Sequence, residues 1–193
     1  MLRTVSLVVT LAIAFTGLTS AQSKYTPPLV PGDIEAPAGL KLVLVGHAVG
    51  TQNYICAPAS TASGVDWFFI GPQATIFDDE GRQIMTHYLS KNPFKNDALH
   101  ATWQHSGDTS AVWATKLRGS TDPAYVAPDA IEWLLLEMTG ALVGPFGGVK
   151  LANVKYLQRL NTAGGLKPAT GCTPSTINTR KFVNYTADYY FSQ

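Results

Sequence analysis

The sequence predicts an all-β fold: one antiparallel sandwich or barrel of about ten short strands, fastened by a single disulfide. Three observations carry that prediction. Glycine and proline, 17 and 12 of 193 residues, interrupt the chain too often for long helices. Between them lie short runs, rich in aromatic and branched residues, at the spacing of hairpins. No long apolar runs alternate with helical segments, as a parallel α/β sheet would require.

The first residues are read as an address, not as fold. Arg3 supplies a positive start, Val5 to Leu18 (VSLVVTLAIAFTGL) is uncharged and apolar, and Thr19-Ser20-Ala21 offers the small residues of a cleavage site. The pattern predicts a signal peptide over residues 1–21 and a secreted, extracellular protein. A membrane anchor fits less well, because the run falls short of the ~20 apolar residues a spanning helix needs. No later segment is long and apolar enough to span a bilayer, so no transmembrane segment is expected after cleavage. Removing 21 of 193 residues leaves 172, a length that suits one domain with a sizeable core. The cleaved piece carries Arg3, so the net charge of +1 becomes 0. With charged residues at only 14% there is no basic field to collect phosphates, and nucleic acid is not expected as a partner.

Residues 22–39 form an extended lead-in, where four prolines at 27, 28, 31 and 37 forbid regular structure. The β-domain then spans 40–193. Leu40 to Val45 is a first short strand, and Thr51 to Cys56 a second, with Gln52, Tyr54 and Cys56 at one parity. Asp66 to Ile70 (DWFFI) and Ala74 to Phe77 follow. The acidic turn Asp78-Asp79-Glu80-Gly81 and the return over Arg82 to Leu89 make the clearest hairpin of the chain. His100 to His105, Ser110 to Leu117 and Ile131 to Met138 are further strands, separated by turn-rich segments. Helical signals occur once, over Pro128 to Gly140, where Asp129 could cap; Ile131 and Trp133 favour a strand there.

Between Gly148 and Phe191 two long strand-like runs flank a glycine-rich bend, and they read as the closing pair of the domain. Alternation puts Tyr185 and Tyr189 on one face and Tyr190 on the other. Cys172 lies between the two runs, and the other cysteine is Cys56. Two cysteines in a secreted chain pair as one disulfide, here across 116 residues. Two free thiols or a metal pair would be the alternative, but neither cysteine has a C-x-x-C partner or a histidine at ligand spacing.

Five segments carry a family resemblance. They are Gly50-Thr51-Gln52-Asn53-Tyr54-Ile55-Cys56; Gly71 to Phe77 with Gly81 and His87; Ala130-Ile131-Glu132-Trp133-Leu134-Leu135; Gln158 to Gly165 with Pro168 and Cys172; and Tyr185 to Phe191. Together they resemble the DUF3455 family of secreted bacterial and fungal proteins, over nearly all of the mature chain. The family is described as uncharacterised, so the resemblance implies a compartment and no activity. Fungal members are sometimes labelled malate dehydrogenase, but this chain has no G-x-G-x-x-G between a strand and a helix. The glycine-rich Gly140 to Gly148 has the wrong spacing, and no cofactor is expected. One departure is Glu132, where the family pattern favours proline before the tryptophan.

Candidate chemistry is sparse. His87, His105 and Asp108 are the catalytic candidates of a small extracellular hydrolase, with His105 and Asp108 near enough to serve as acid and base at a loop; a solvated turn is the stronger expectation for that pair. No G-x-S-x-G elbow marks a serine nucleophile, and no pair of carboxylates stands out for glycoside hydrolysis. Asp78-Asp79-Glu80 lacks the alternating ligands of a calcium loop, so no metal site is expected. Arg159 and Asn161, ahead of Gly164-Gly165, could bind a ligand; a structural pairing of Arg159 with Asp188 on the neighbouring strand is the stronger expectation. Trp67, Phe68, Trp103, Trp113, Tyr185, Tyr189 and Tyr190 could include a stacking platform for sugar rings, although a β-domain needs most of its aromatics inside. Asn184-Tyr185-Thr186 is a sequon that makes Asn184 a possible glycosylation site. These features favour a non-enzymatic extracellular binding protein whose partner is cell-wall polysaccharide or another extracellular protein. The alternatives are the hydrolase and a structural module of the envelope.

Overall fold

The computed structural model describes residues 25–193. The expected signal peptide, residues 1–21, lies outside the described residues. Eight strands, β1 (Leu42–Pro58), β2 (Val65–Phe77), β3 (Gln83–Asn92), β4 (Ala98–His105), β5 (Ala111–Ser120), β6 (Trp133–Leu142), β7 (Tyr156–Gly164) and β8 (Arg180–Ser192), follow one another around a closed antiparallel barrel. Each strand pairs with the next, and β8 returns to β1 along a register running from Leu42 opposite Ser192 to Ile55 opposite Arg180. Closure gives every strand a neighbour on both sides, although β2–β3, β4–β5 and β6–β7 pair over only four positions each.

The strands number eight, not about ten, for a local reason. The expected breaks at Gly46–Gly50 and Gly71-Pro72 lie inside continuous strands. Gly50 faces the interior where β1 and β2 nearly touch, and a Cβ there would collide with the Gln73 carbonyl oxygen. Between β1 and β2 the register slips opposite Ile70, and Gly71 takes φ +125° there, with Leu89 2.9 Å from where its Cβ would be. The glycines accommodate tight curvature and a bulge instead of ending strands. The hairpin predicted around residues 78–81 is present: Ala74 faces His87 and Ile76 faces Met85. Asp78 closes its tip by accepting the Glu80 and Arg82 backbone N–H groups.

Alternate residues fill the barrel. Ile76, Met85, Trp103, Val112, Leu157, Tyr189 and Phe191, none more than 1% exposed, pack with Leu134 and Leu136 into one core. His47, Thr75, Gln104, Thr186 and Asp188 project outward. Tyr185 and Tyr189 face inward with their hydroxyls 3.3 Å apart, while Tyr190 lies on the outer side, as alternation predicted.

Two segments lie against the outside of the barrel. The proline-rich lead-in crosses β6 and β7, burying Ile34 completely among Val126, Ala130, Trp133, Leu135 and Leu160. Gln158 on β7 donates to the Ile34 carbonyl at 2.8 Å and so ties the strap to the wall. The connection from β7 to β8 folds over the β1–β2 hairpin and is held there by the Cys56–Cys172 disulfide. Trp67 adds an Nε1–H bond to the Thr170 carbonyl (3.0 Å), and the Tyr54 hydroxyl donates to the Gly165 carbonyl (2.8 Å).

Candidate functional site

One half of the barrel is filled and the other is hollow. Trp103 on β4 forms the floor between them, buried to 1% exposure and stacked on the His87 ring at a centroid distance of 4.1 Å and 10° between planes. Above it lies a cavity of about 310 Å³ to which every strand contributes a residue, from Gln52 on β1 to Tyr189 on β8. Small side chains make the space: Ala101 and Ala114 stand where larger residues would complete the core. Leu89, Leu134 and Leu136 supply apolar wall. The opening is rimmed by Phe69 and Leu99, exposed to 50% and 66%, in an otherwise ordinary surface.

The polar groups of this cavity are few and convergent. Arg159 on β7 is an inward-facing residue at the parity of the buried Leu157, and its Nη2 donates to the Glu132 carbonyl at 2.9 Å. That anchor is a backbone atom, so it does not depend on the residue type at 132. The Glu132 carboxylate instead grips Lys116 at the rim, both oxygens 2.7 Å from Nζ. His87 Nδ1 lies 2.8 Å from the Thr102 carbonyl, which requires the proton on Nδ1 and leaves Nε2 a lone-pair acceptor. Complete burial, aided by the Arg159 charge and opposed by the Thr102 bond, depresses the His87 pKa to about 3. The imidazole is therefore neutral. Burial pushes the Tyr189 hydroxyl upward, moderated by Arg159 beside it.

The donors are not matched by acceptors. Among the described residues four buried side-chain polar atoms have no protein partner, and three of them, Gln52 Nε2, Trp103 Nε1 and Arg159 Nε, belong to residues of this cavity. A family model described as "Protein of unknown function (DUF3455)" matches residues 37–193. The chain belongs to the DUF3455 family. No curated protein and no solved structure matches it.

In this DUF3455 member the candidate residues separate into three places. His87, Trp103 and Arg159 meet at the cavity. His105 and Asp108 sit at the opposite end of the barrel, in the β4–β5 turn. There His105 Nδ1 accepts the backbone N–H groups of Gly107 and Asp108, each at 3.1 Å. Burial and the Lys150 charge hold its pKa below the ordinary value despite Asp108. Although burial opposes it, bonds from the Lys150 N–H and from the Ser110 hydroxyl and N–H bring Asp108 down to about 2. These groups staple a turn, and His87 shares no cleft with them.

Asn161 projects from the outer wall at φ +50° and donates to Asp188 at 2.8 Å. Asp188 is thus engaged by Asn161 and by His47, whose Nδ1 lies 2.6 Å away. The expected Arg159–Asp188 pair is not formed, because Arg159 faces Tyr189 in register and points inside while Asp188 points out. Trp67 and Trp113, at 4% and 6% exposure, are buried beneath the disulfide loop and against Ser90. With Trp103 on the cavity floor, the three tryptophans form no exposed platform. Asn184 is exposed on β8. Among the described residues no three His, Cys, Asp or Glu side chains are placed to hold a metal.

Sequence reading passed over Gln52 and Lys116 as site residues and named Tyr189 only among the aromatics that could stack on sugars. A signal existed for Gln52, which shares the parity of Tyr54 and Cys56.

Proposed function

We propose that this protein is a non-enzymatic, exported binding protein that holds one small, mostly apolar molecule in the hollow half of its barrel. The observation that carries the reading is the walled cavity itself, apolar on its sides, with polar groups converging at one level. About 310 Å³ falls at the small end of the range for ligand sites. Eight-stranded barrels have the internal width for one small ligand. The Cys56–Cys172 bond fits an oxidising compartment, in keeping with the apolar segment at Val5 to Leu18. The apolar walls and enclosed shape favour a small molecule with a greasy body over a polysaccharide chain, whose many hydroxyls would ask for a polar groove.

Titration with the neutral fluorophore 1-aminoanthracene tests this reading. Saturable one-to-one binding with a blue-shifted emission is expected for the wild type, and much weaker binding for Ala101→Phe, which fills the cavity. Absence of saturable binding to the wild type would remove the reading. So would undiminished binding to an Ala101→Phe protein that melts like the wild type.

A further inference from the structure

We propose that the occupant of the barrel cavity is an anion, a monocarboxylate on an apolar body, with its carboxylate received by Arg159 and its body lying over Trp103. The inference rests on the cavity being a ligand site and adds the charge and headgroup of what enters it.

The argument begins from an imbalance. Gln52 Nε2, Trp103 Nε1 and Arg159 Nε are all donors, and none has an acceptor in the protein. A buried donor left unmatched costs free energy, and a guanidinium more than an amide. The usual remedy for a partly buried arginine whose Nε is enclosed is a carboxylate, yet the cavity lining holds no Asp or Glu. The nearest acid, Glu132, is committed to Lys116 at 2.7 Å, and Arg159 makes no ion pair among the described residues. The cavity therefore carries one positive charge and a surplus of N–H groups, and the complementary molecule is anionic and rich in acceptors.

Charge count decides between carboxylate and phosphate. A dianionic phosphate is met in proteins by several cations or by a run of backbone amides. Here the second cation, Lys116, is already neutralised, and His87 is neutral because of its burial. One guanidinium, with one Nη held by the Glu132 carbonyl, matches a single carboxylate. His87 Nε2 is an acceptor on the same lining as the Gln52 amide oxygen, suited to a hydroxyl or amide carried on the same molecule.

The test compares octanoate with octanamide, which are alike in size and differ in charge, as competitors of 1-aminoanthracene. At neutral pH octanoate should bind the wild type about 10- to 100-fold more tightly than octanamide, the range expected for a charge-assisted pair. In Arg159→Met the two probes should bind alike while the dye still binds. Should that variant fail to fold, the wild type alone suffices, because the preference should fall by roughly five- to tenfold between neutral pH and pH ~4, where about nine-tenths of the octanoic acid is protonated. A preference unchanged by pH overturns the anion inference. Equal binding of acid and amide to the wild type at neutral pH overturns the anion inference and leaves the cavity reading intact. So does a preference that survives in a folded Arg159→Met. Failure of the dye itself to bind overturns the cavity reading instead.

Discussion

Removing the disulfide is the perturbation whose size follows most directly from the structure. The bond joins the end of β1 to the β7–β8 connection and closes a loop of 116 residues. In the chain-entropy treatment a loop of that length is worth about 4.8 kcal/mol at 25 °C, because the unfolded chain loses the conformations that separate its ends. Cys56 is fully buried, so Cys56→Ala combined with Cys172→Ala also forfeits the packing of one sulfur, roughly another 1 kcal/mol. A domain of this size shifts by about 2–4 °C in Tm per kcal/mol, which predicts a fall of about 10–20 °C. Differential scanning calorimetry should compare three samples: oxidised wild type, wild type under reductant, and the double variant. The reduced wild type keeps both sulfurs and so isolates loop closure from packing. If reduction lowers Tm by less than about 4 °C, loop closure is not what the bond contributes, and the reasoning fails.

Two further predictions concern titrating groups far from the cavity. His47 lies between Asp79 (3.0 Å) and Asp188 (2.6 Å), and the hydrogen bonds it donates, first to Asp79 and then to Asp188, raise its pKa above 6.5. Its contribution is then fully present below about pH 6.5 and is lost as pH rises through the raised value, so His47→Gln should lower Tm more at about pH 5.5 than at about pH 8.5. Asp108, at about 2, has the opposite sign: its contribution is present above the ordinary carboxylate range and is lost as pH falls. Asp108→Asn should cost about 2–3 kcal/mol by urea denaturation near neutrality and little at pH ~2; an equal cost at both pH values would show that the turn is held by shape and not by the carboxylate.

Much of the fold was legible because period-two patterning is strict wherever one face is buried. Tyr185, Tyr189 and Tyr190 fell on the predicted sides, and the residue 78–81 turn marked its hairpin through composition alone. The number of strands was less legible. Gly50 and Gly71 carry the same letter whether a strand ends or bends, and only the approach of β2 to β1 tells the two apart. The site was harder still. Arg159 reads as a charge on a sheet surface, for which a neighbouring carboxylate is the ordinary partner. That it instead faces the same space as Gln52, His87 and Trp103 is a property of closure, since those residues come from four different strands. His105 and Asp108, close in sequence, looked more like chemistry than His87 did, and local spacing pointed to the turn because a turn is what it builds.

The pairing of β8 with β1 sets the order in which the protein can be made. Lys41 and Gln193 exchange backbone hydrogen bonds at 2.9 and 3.0 Å, so the two ends of the ring meet at the last residue. The long first strand keeps one flank bare until the final one emerges, and the hollow chamber has no eighth wall before then. Opening the chain at the exposed tip near Gly81, with residues 25–40 kept within the connection that leads from Gln193 back to Lys41, would preserve the pairing of β8 with β1 while changing which strand arrives last.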